Sequence, residues 1–176
     1  MNWARRAALA GAAIAVSATA AIAQEESTNR VAANTDWAVF VEDGPRQCWA
    51  VSAPKETVNM RDGRVVAVRR GDIYMLVFYQ PADNIAGQVQ FVGGYPFASG
   101  STVEVVIGED TFEFFTEGES AWPASPEEDA RVVAAMKAGV DAVVTGRSSR
   151  GTTTRDTFSL LGFTAAVDDA EDRCSG

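Results

Sequence analysis

Two cysteines constrain this chain more than any other feature. Cys48 lies near the start of the patterned region, and Cys174 stands two residues from the last position. A bridge between them would tie the beginning of the domain to its end, and two cysteines allow a single pairing. Whether they bridge depends on compartment, because disulfides persist in oxidising surroundings and are rare in reducing ones. The first segment, MNWARRAALAGAAIAVSATAAIA, bears on that question. Arg5 and Arg6 precede a small-residue apolar run that closes on Ala21-Ile22-Ala23, an A-x-A pattern with a cut expected before Gln24. This is the pattern of a secretory signal peptide over residues 1–23. The competing reading is a transmembrane anchor, but the run is Ala-rich, barely long enough to span a bilayer, and ends in a cleavage pattern instead of charged flanks. No cysteine follows the cut, which disfavours a lipid-anchored start, and no later stretch approaches the length of a membrane span. The expectation is export to the periplasm or cell surface, no transmembrane segment in the mature chain, and a Cys48–Cys174 disulfide. In the loop-entropy account, closing so long a loop stabilises a fold by about 4 to 5 kcal/mol. A redox or nucleophilic thiol is the alternative; it lacks a C-x-x-C spacing and any histidine to depress its pKa.

The leader holds two of the fifteen basic residues and none of the twenty-four acidic ones, leaving thirteen against twenty-four, a formal charge of −11. Neutralising phosphates or an anionic membrane takes a basic face, so nucleic acid is not an expected partner. An unidentified protein or envelope component is. At 176 residues with 47% hydrophobic side chains, the chain fits one globular domain, expected over 35–176 behind a flexible tail over 24–34.

Within that domain the hydrophobic period is mostly two. DWAVFVED and QCWAVSA alternate between turn residues, and RDGRVVAVRRGD offers a short strand between Gly-containing turns. IYMLVFYQP is a continuous apolar run that Pro81 ends, the pattern of a central strand buried on both faces. QVQFVGG follows, and STVEVVIGEDTFEFFTE reads as a hairpin around a three-residue loop, Gly108-Glu109-Asp110. One helix interrupts: SPEEDARVVAAMKAG has Ser125 as N-cap, Pro126 at the first helical position, Glu128 three residues after the cap and Gly139 at the end. VDAVVTGRSSRGTTTRDTFSLLGF then gives two strands around a loop at 146–151. From Phe163 onward, Phe163, Val167, Ala170 and Cys174 recur at three- and four-residue steps, which predicts a terminal helix aiming Cys174 at the domain. The fold expected is mainly β, a β-sandwich-like single domain or open barrel with one internal and one C-terminal helix.

The chain has no histidine, which removes Ser-His-Asp and Cys-His activation and imidazole metal sites. Lys55 and Lys137 leave a Ser-Lys dyad formally open, but neither sits in a supporting motif. No G-x-S-x-G, P-loop or G-x-G-x-x-G pattern occurs, so no cofactor and no enzymatic activity are expected. Glu104, Glu109, Asp110, Glu113, Glu117 and Glu119, and later Asp168, Asp169, Glu171 and Asp172, raise the alternative of a carboxylate-dependent hydrolase or a calcium site. Their spacing matches a solvated strand face and an outer helix face better, and no EF-hand pattern is present. The basic residues form the more specific set. Arg147, Ser148, Ser149 and Arg150 in GRSSRG, with Arg155 after them, could clasp a carboxylate or phosphate; the plainer reading is a hairpin tip kept soluble by arginine. Arg70-Gly71-Asp72 matches an integrin-recognition tripeptide, and it also makes sense as a turn into the next strand.

DWAVFVEDGPRQCWAVSAPKET, GGYPF, AWPAS, VVAAMKAG and RSSRGTTTRDTFSLLGFTAAVDDAEDRC together resemble the invasion-associated locus B family, over nearly the whole domain from Asp36 to Cys174. The resemblance implies a compact β-sandwich-like secreted or envelope protein without established enzymatic activity, linked in pathogenic members to host-cell entry. Members often carry a further cysteine pair in the second half, where this chain has FFTEGESAWPAS. The functional expectation is an exported, non-catalytic protein acting through macromolecular binding, with the hydrolase or a small-anion-binding protein using Arg147 and Arg150 as alternatives.

Overall fold

A computed structural model describes residues 29–175; the expected signal peptide and the first part of the expected tail lie outside the described residues. The strands are β1 (Arg30–Asn34), β2 (Trp37–Glu42), β3 (Gln47–Ser52), β4 (Glu56–Arg61), β5 (Arg64–Val65), β6 (Tyr74–Gln80), β7 (Ile85–Val92), β8 (Thr102–Ile107), β9 (Asp110–Glu117), β10 (Ser120–Trp122), β11 (Asp141–Arg147) and β12 (Thr153–Ser159). Helix α1 (Pro126–Ala138) precedes β11, and α2 (Phe163–Ser175) follows β12. The strands form one antiparallel sheet in the order β1-β2-β3-β6-β7-β10-β9-β8-β11-β12-β4-β5. The sheet curls until its halves face each other. Phe91 on β7 meets Phe158 on β12 edge-on with ring centroids 6.1 Å apart, and Trp37 on β2 donates its indole N–H to the Ser159 carbonyl at 2.9 Å. The mainly β, sandwich-like architecture with an internal and a C-terminal helix is therefore as expected.

Alternation places one face of each strand in the core: Cys48, Ala50 and Ser52 on β3, and Val103, Val105 and Ile107 on β8, are buried. β6 departs from its expected burial on both faces. Met75, Val77 and Tyr79 are buried, whereas Leu76 and Phe78 are half-buried. The helices pack on the other face, so the outer aromatics shelter one another: Phe40 stacks on Trp49 at 5.7 Å, and Trp49 lies 6.3 Å from Phe78. The β8–β9 turn is also shorter than expected. Ile107 pairs with Asp110, leaving a two-residue turn that Gly108 enters at φ +59°.

The expected flexible stretch over 24–34 ends early, because Arg30–Asn34 pairs with β2 as an edge strand. It is held through its main chain while Val31 and Ala33 remain exposed, so no hydrophobic period marks it.

The Ser125 hydroxyl of α1 accepts the Glu128 N–H at 3.3 Å. Gly139 ends that helix for steric reasons, since a Cβ there would lie 2.6 Å from Ile107 and 3.0 Å from Leu160. Helix α2 buries Phe163, Ala166, Val167, Ala170 and Cys174. Its first residue, Phe163, meets Trp37 at 4.8 Å. Near its end Cys174 is bridged to Cys48, as the sequence predicted, with Cα atoms 5.9 Å apart.

Candidate functional site

β5 lies at the last edge of the sheet and β6 between β3 and β7, so residues 66–73 must cross from one half to the other. They do so without turn or bend. The Val66 N–H bonds to the Asn59 carbonyl at 2.9 Å, and the Gly71 N–H to the Gly94 carbonyl at 2.8 Å. Gly94 permits that approach, because a Cβ there would stand 2.6 Å from the Gly71 oxygen.

Between these anchors Arg70 turns inward. Its side chain is 6% exposed and that of Asp156, on β12, 0%. Nη1 and Nη2 each donate to one carboxylate oxygen at 2.7 Å, the bidentate geometry that arginine alone provides. Nε and Nη2 also donate to the Gly93 carbonyl, at 2.9 and 2.7 Å. The Tyr95 ring covers the guanidinium at 4.9 Å, and the Tyr95 hydroxyl lies 2.5 Å from Thr154 Oγ1. Burial pushes the Asp156 carboxyl up, and the bonds from Arg70 oppose it. Burial likewise pushes the Tyr95 hydroxyl up. Arg70 is wholly committed to the interior, so Arg70-Gly71-Asp72 is not displayed as a recognition tripeptide.

Beside the crossing segment lies a groove of about 470 Å³. Arg61, Arg69 and Arg150 stand on its walls with Tyr95, Ser149 and Thr152, and Glu119 is the acid among them. Arg61 donates to the Thr152 hydroxyl at 2.7 Å. Arg69 and Arg150 are exposed, and neither hydrogen bonds nor pairs with another described residue. Ser148 shapes the wall: its hydroxyl accepts the Thr152 N–H at 3.1 Å, and its own N–H bonds to the Thr152 carbonyl at 2.8 Å.

A family profile described as invasion associated locus B (IalB) protein matches residues 37–171, from β2 into α2 and across every residue of the groove. The chain belongs to the invasion-associated locus B family. No curated protein and no solved structure matches it. The invasion-associated locus B family is not known as an enzyme family, and membership supports an invasion-associated envelope protein at the level of the family.

In this invasion-associated locus B chain, the five polar residues singled out from the sequence divide between two faces. Ser148, Ser149 and Arg150 line the groove. Arg147 pairs across from Thr153, and Arg155 across from Thr145, on the outer face of the same sheet. The cause is the two-residue period: Arg147 and Ser148 point to opposite sides. Arg147 borders a separate open concavity of about 520 Å³ with Thr102, Glu104, Glu113 and Thr145. Glu104 and Glu113 sit directly opposite each other there, exposed, with Thr102 donating to Glu113 at 2.8 Å. They lie on a sheet face, not in an enclosing cleft. Lys55 is paired with Asp36, whose carboxyl the Lys55 and Ser159 hydrogen bonds hold below the usual range. Lys137 bonds to Asp168 of α2 at 2.7 Å.

Sequence reading missed Arg61, Arg69, Arg70 and Tyr95 as members of one site. They come from β4, the crossing segment and the loop after β7, which only the curl of the sheet brings together. The adjacent arginines of VRRGD and the paired glycines of GGYPF were the available signals.

Proposed function

We propose that the protein is exported, is held oxidised by Cys48–Cys174, and works without catalysis by binding another macromolecule of the envelope or cell surface through the arginine groove. The observation that carries this reading is that Arg69 and Arg150, both without a partner among the described residues, line one groove with a fixed frame in a chain whose mature charge is −11. An acidic protein has ample carboxylate to neutralise surface arginines. Two left open over one concavity favour a partner of opposite charge. Support for the absence of catalysis comes from the lack of histidine in the sequence and from the exposed setting of the facing pair Glu104 and Glu113. Support for export comes from the leader pattern and the disulfide.

Crosslinking and mass spectrometry on intact cells test the reading. The expected result is recovery with envelope proteins, oxidised cysteines, and a reproducible crosslinked partner. Recovery with cytoplasmic proteins, free thiols at Cys48 and Cys174, or no reproducible partner contradicts it.

A further inference from the structure

The groove has a second unusual property besides its charge. From 66 to 73 the chain is straight, yet its main-chain bonds within the described residues are those at Val66 and Gly71. The N–H and C=O groups of Ala67, Val68 and Arg69 lie between these anchors without a main-chain partner, and all three residues are exposed. They continue from β5, the last strand of the sheet, whose far side carries no neighbouring strand among the described residues. An extended run with free donors and acceptors at a sheet edge is a template for another strand.

Resting on the binding role proposed above, we propose that the groove takes an extended polypeptide segment rich in aspartate or glutamate. The segment lies beside residues 67–69 and bonds to their main chain, while its carboxylates meet Arg69 and Arg150. Three observations select this ligand. Carbonyls spaced along an extended run need donors at the same repeat, which the N–H groups of a second extended chain supply and a single phosphate group does not. Arginine's planar fork calls for an anionic oxygen pair, which an aspartate or glutamate side chain carries on such a chain. Val68, 36% exposed, with Pro96 and Tyr95 on the groove wall, offers apolar surface to the alternate side chains of an extended chain. A lipid surface fits poorly, since the site is concave and the mature chain strongly anionic.

The test titrates the isotope-labelled full-length protein with a capped heptapeptide of alternating glutamate and valine, followed by amide NMR. The expected result is perturbation of the Ala67, Val68 and Arg69 amides, weakened at least tenfold by Arg69→Glu or Arg150→Glu. A peptide of alternating lysine and valine should gain affinity for Arg150→Glu. Both arginines are exposed, and an unchanged remainder of the spectrum verifies that the variants fold. Parallel arms use inorganic phosphate and phosphatidylglycerol vesicles. Silence of the 67–69 amides toward the glutamate peptide, or the same perturbations from phosphate or vesicles with the peptide inert, overturns the assignment. A groove crosslink in cells combined with an inert peptide defeats this ligand class alone; loss of every groove crosslink defeats the binding role itself.

Discussion

Arg70 and Asp156 join the crossing segment to the middle of β12 through two parallel 2.7 Å hydrogen bonds in a nearly dry setting. The pair fixes the wall on which Arg69 stands, so frame and groove share one origin. Removing one partner of a buried ion pair strands a charge and typically costs about 3–5 kcal/mol, whereas replacing both by apolar side chains is often near neutral. Arg70→Met should therefore destabilise by about that amount, and Arg70→Met with Asp156→Leu should recover a substantial part of the loss. Denaturant unfolding of the four-member cycle measures it; a double variant as unstable as the sum of the singles contradicts a charge-stranding cause.

The bridge from Cys48 to Cys174 pins α2 across β2 and β3. Cys48→Ala with Cys174→Ala should lose up to about 4–5 kcal/mol in the loop-entropy account. Because that loss is in global stability, the slowest-exchanging core amides of the sheet should accelerate together, with the α2 amides accelerating at least as much. Unchanged exchange in the core strands would contradict the loop-entropy account.

Gly162 turns the chain into α2 at φ +88°, where a Cβ would stand 1.9 Å from the Asn34 carbonyl oxygen. Gly151 has a similar φ, +80°, but open space around it. Gly151→Ala should cost about 1 kcal/mol for conformation alone, and Gly162→Ala distinctly more because β1 must also move. Equal melting temperatures for the two variants would remove the steric contribution.

Burial pushes the Asp129 carboxyl above its ordinary value of 3.8, with the Val89 N–H, at 2.8 Å, pulling the other way. A folded pKa above the unfolded one means the native state holds the proton more tightly. The resulting stability is fully present below the unfolded value and is lost as pH rises through the folded one. Asp129→Asn keeps an acceptor and removes the charge. Its stability relative to the parent should therefore improve between about pH 4 and pH 7. Paired urea titrations at the two pH values check the sign; a variant that loses stability relative to the parent between about pH 4 and pH 7 contradicts it.

Much of this fold was legible because its signals are local. Period-two burial marked most strands, Ser125 and Pro126 marked α1, and the spacing of Phe163, Val167, Ala170 and Cys174 marked the face of α2 that is buried. β1 escaped notice because main-chain pairing leaves no trace in side-chain pattern. The site was half legible. Arg150 and its neighbouring serines stood out in GRSSRG, but nothing local says that Arg147 points the other way or that Arg69 arrives from a segment 81 positions earlier than Arg150 in the chain. Those relations come from the curl of the sheet, which is set by contacts such as Phe91 on Phe158.

A photoreactive amino acid placed at Ser149, on the groove wall, probes the binding role most directly in intact cells. A discrete adduct with an envelope or surface component should form, and Arg69→Glu with Arg150→Glu should abolish it. A control probe at Phe115, 59% exposed on the outer sheet face, should not give that adduct. No adduct from Ser149, an adduct that survives both charge reversals, or the same adduct from Phe115 would contradict binding through the arginine groove.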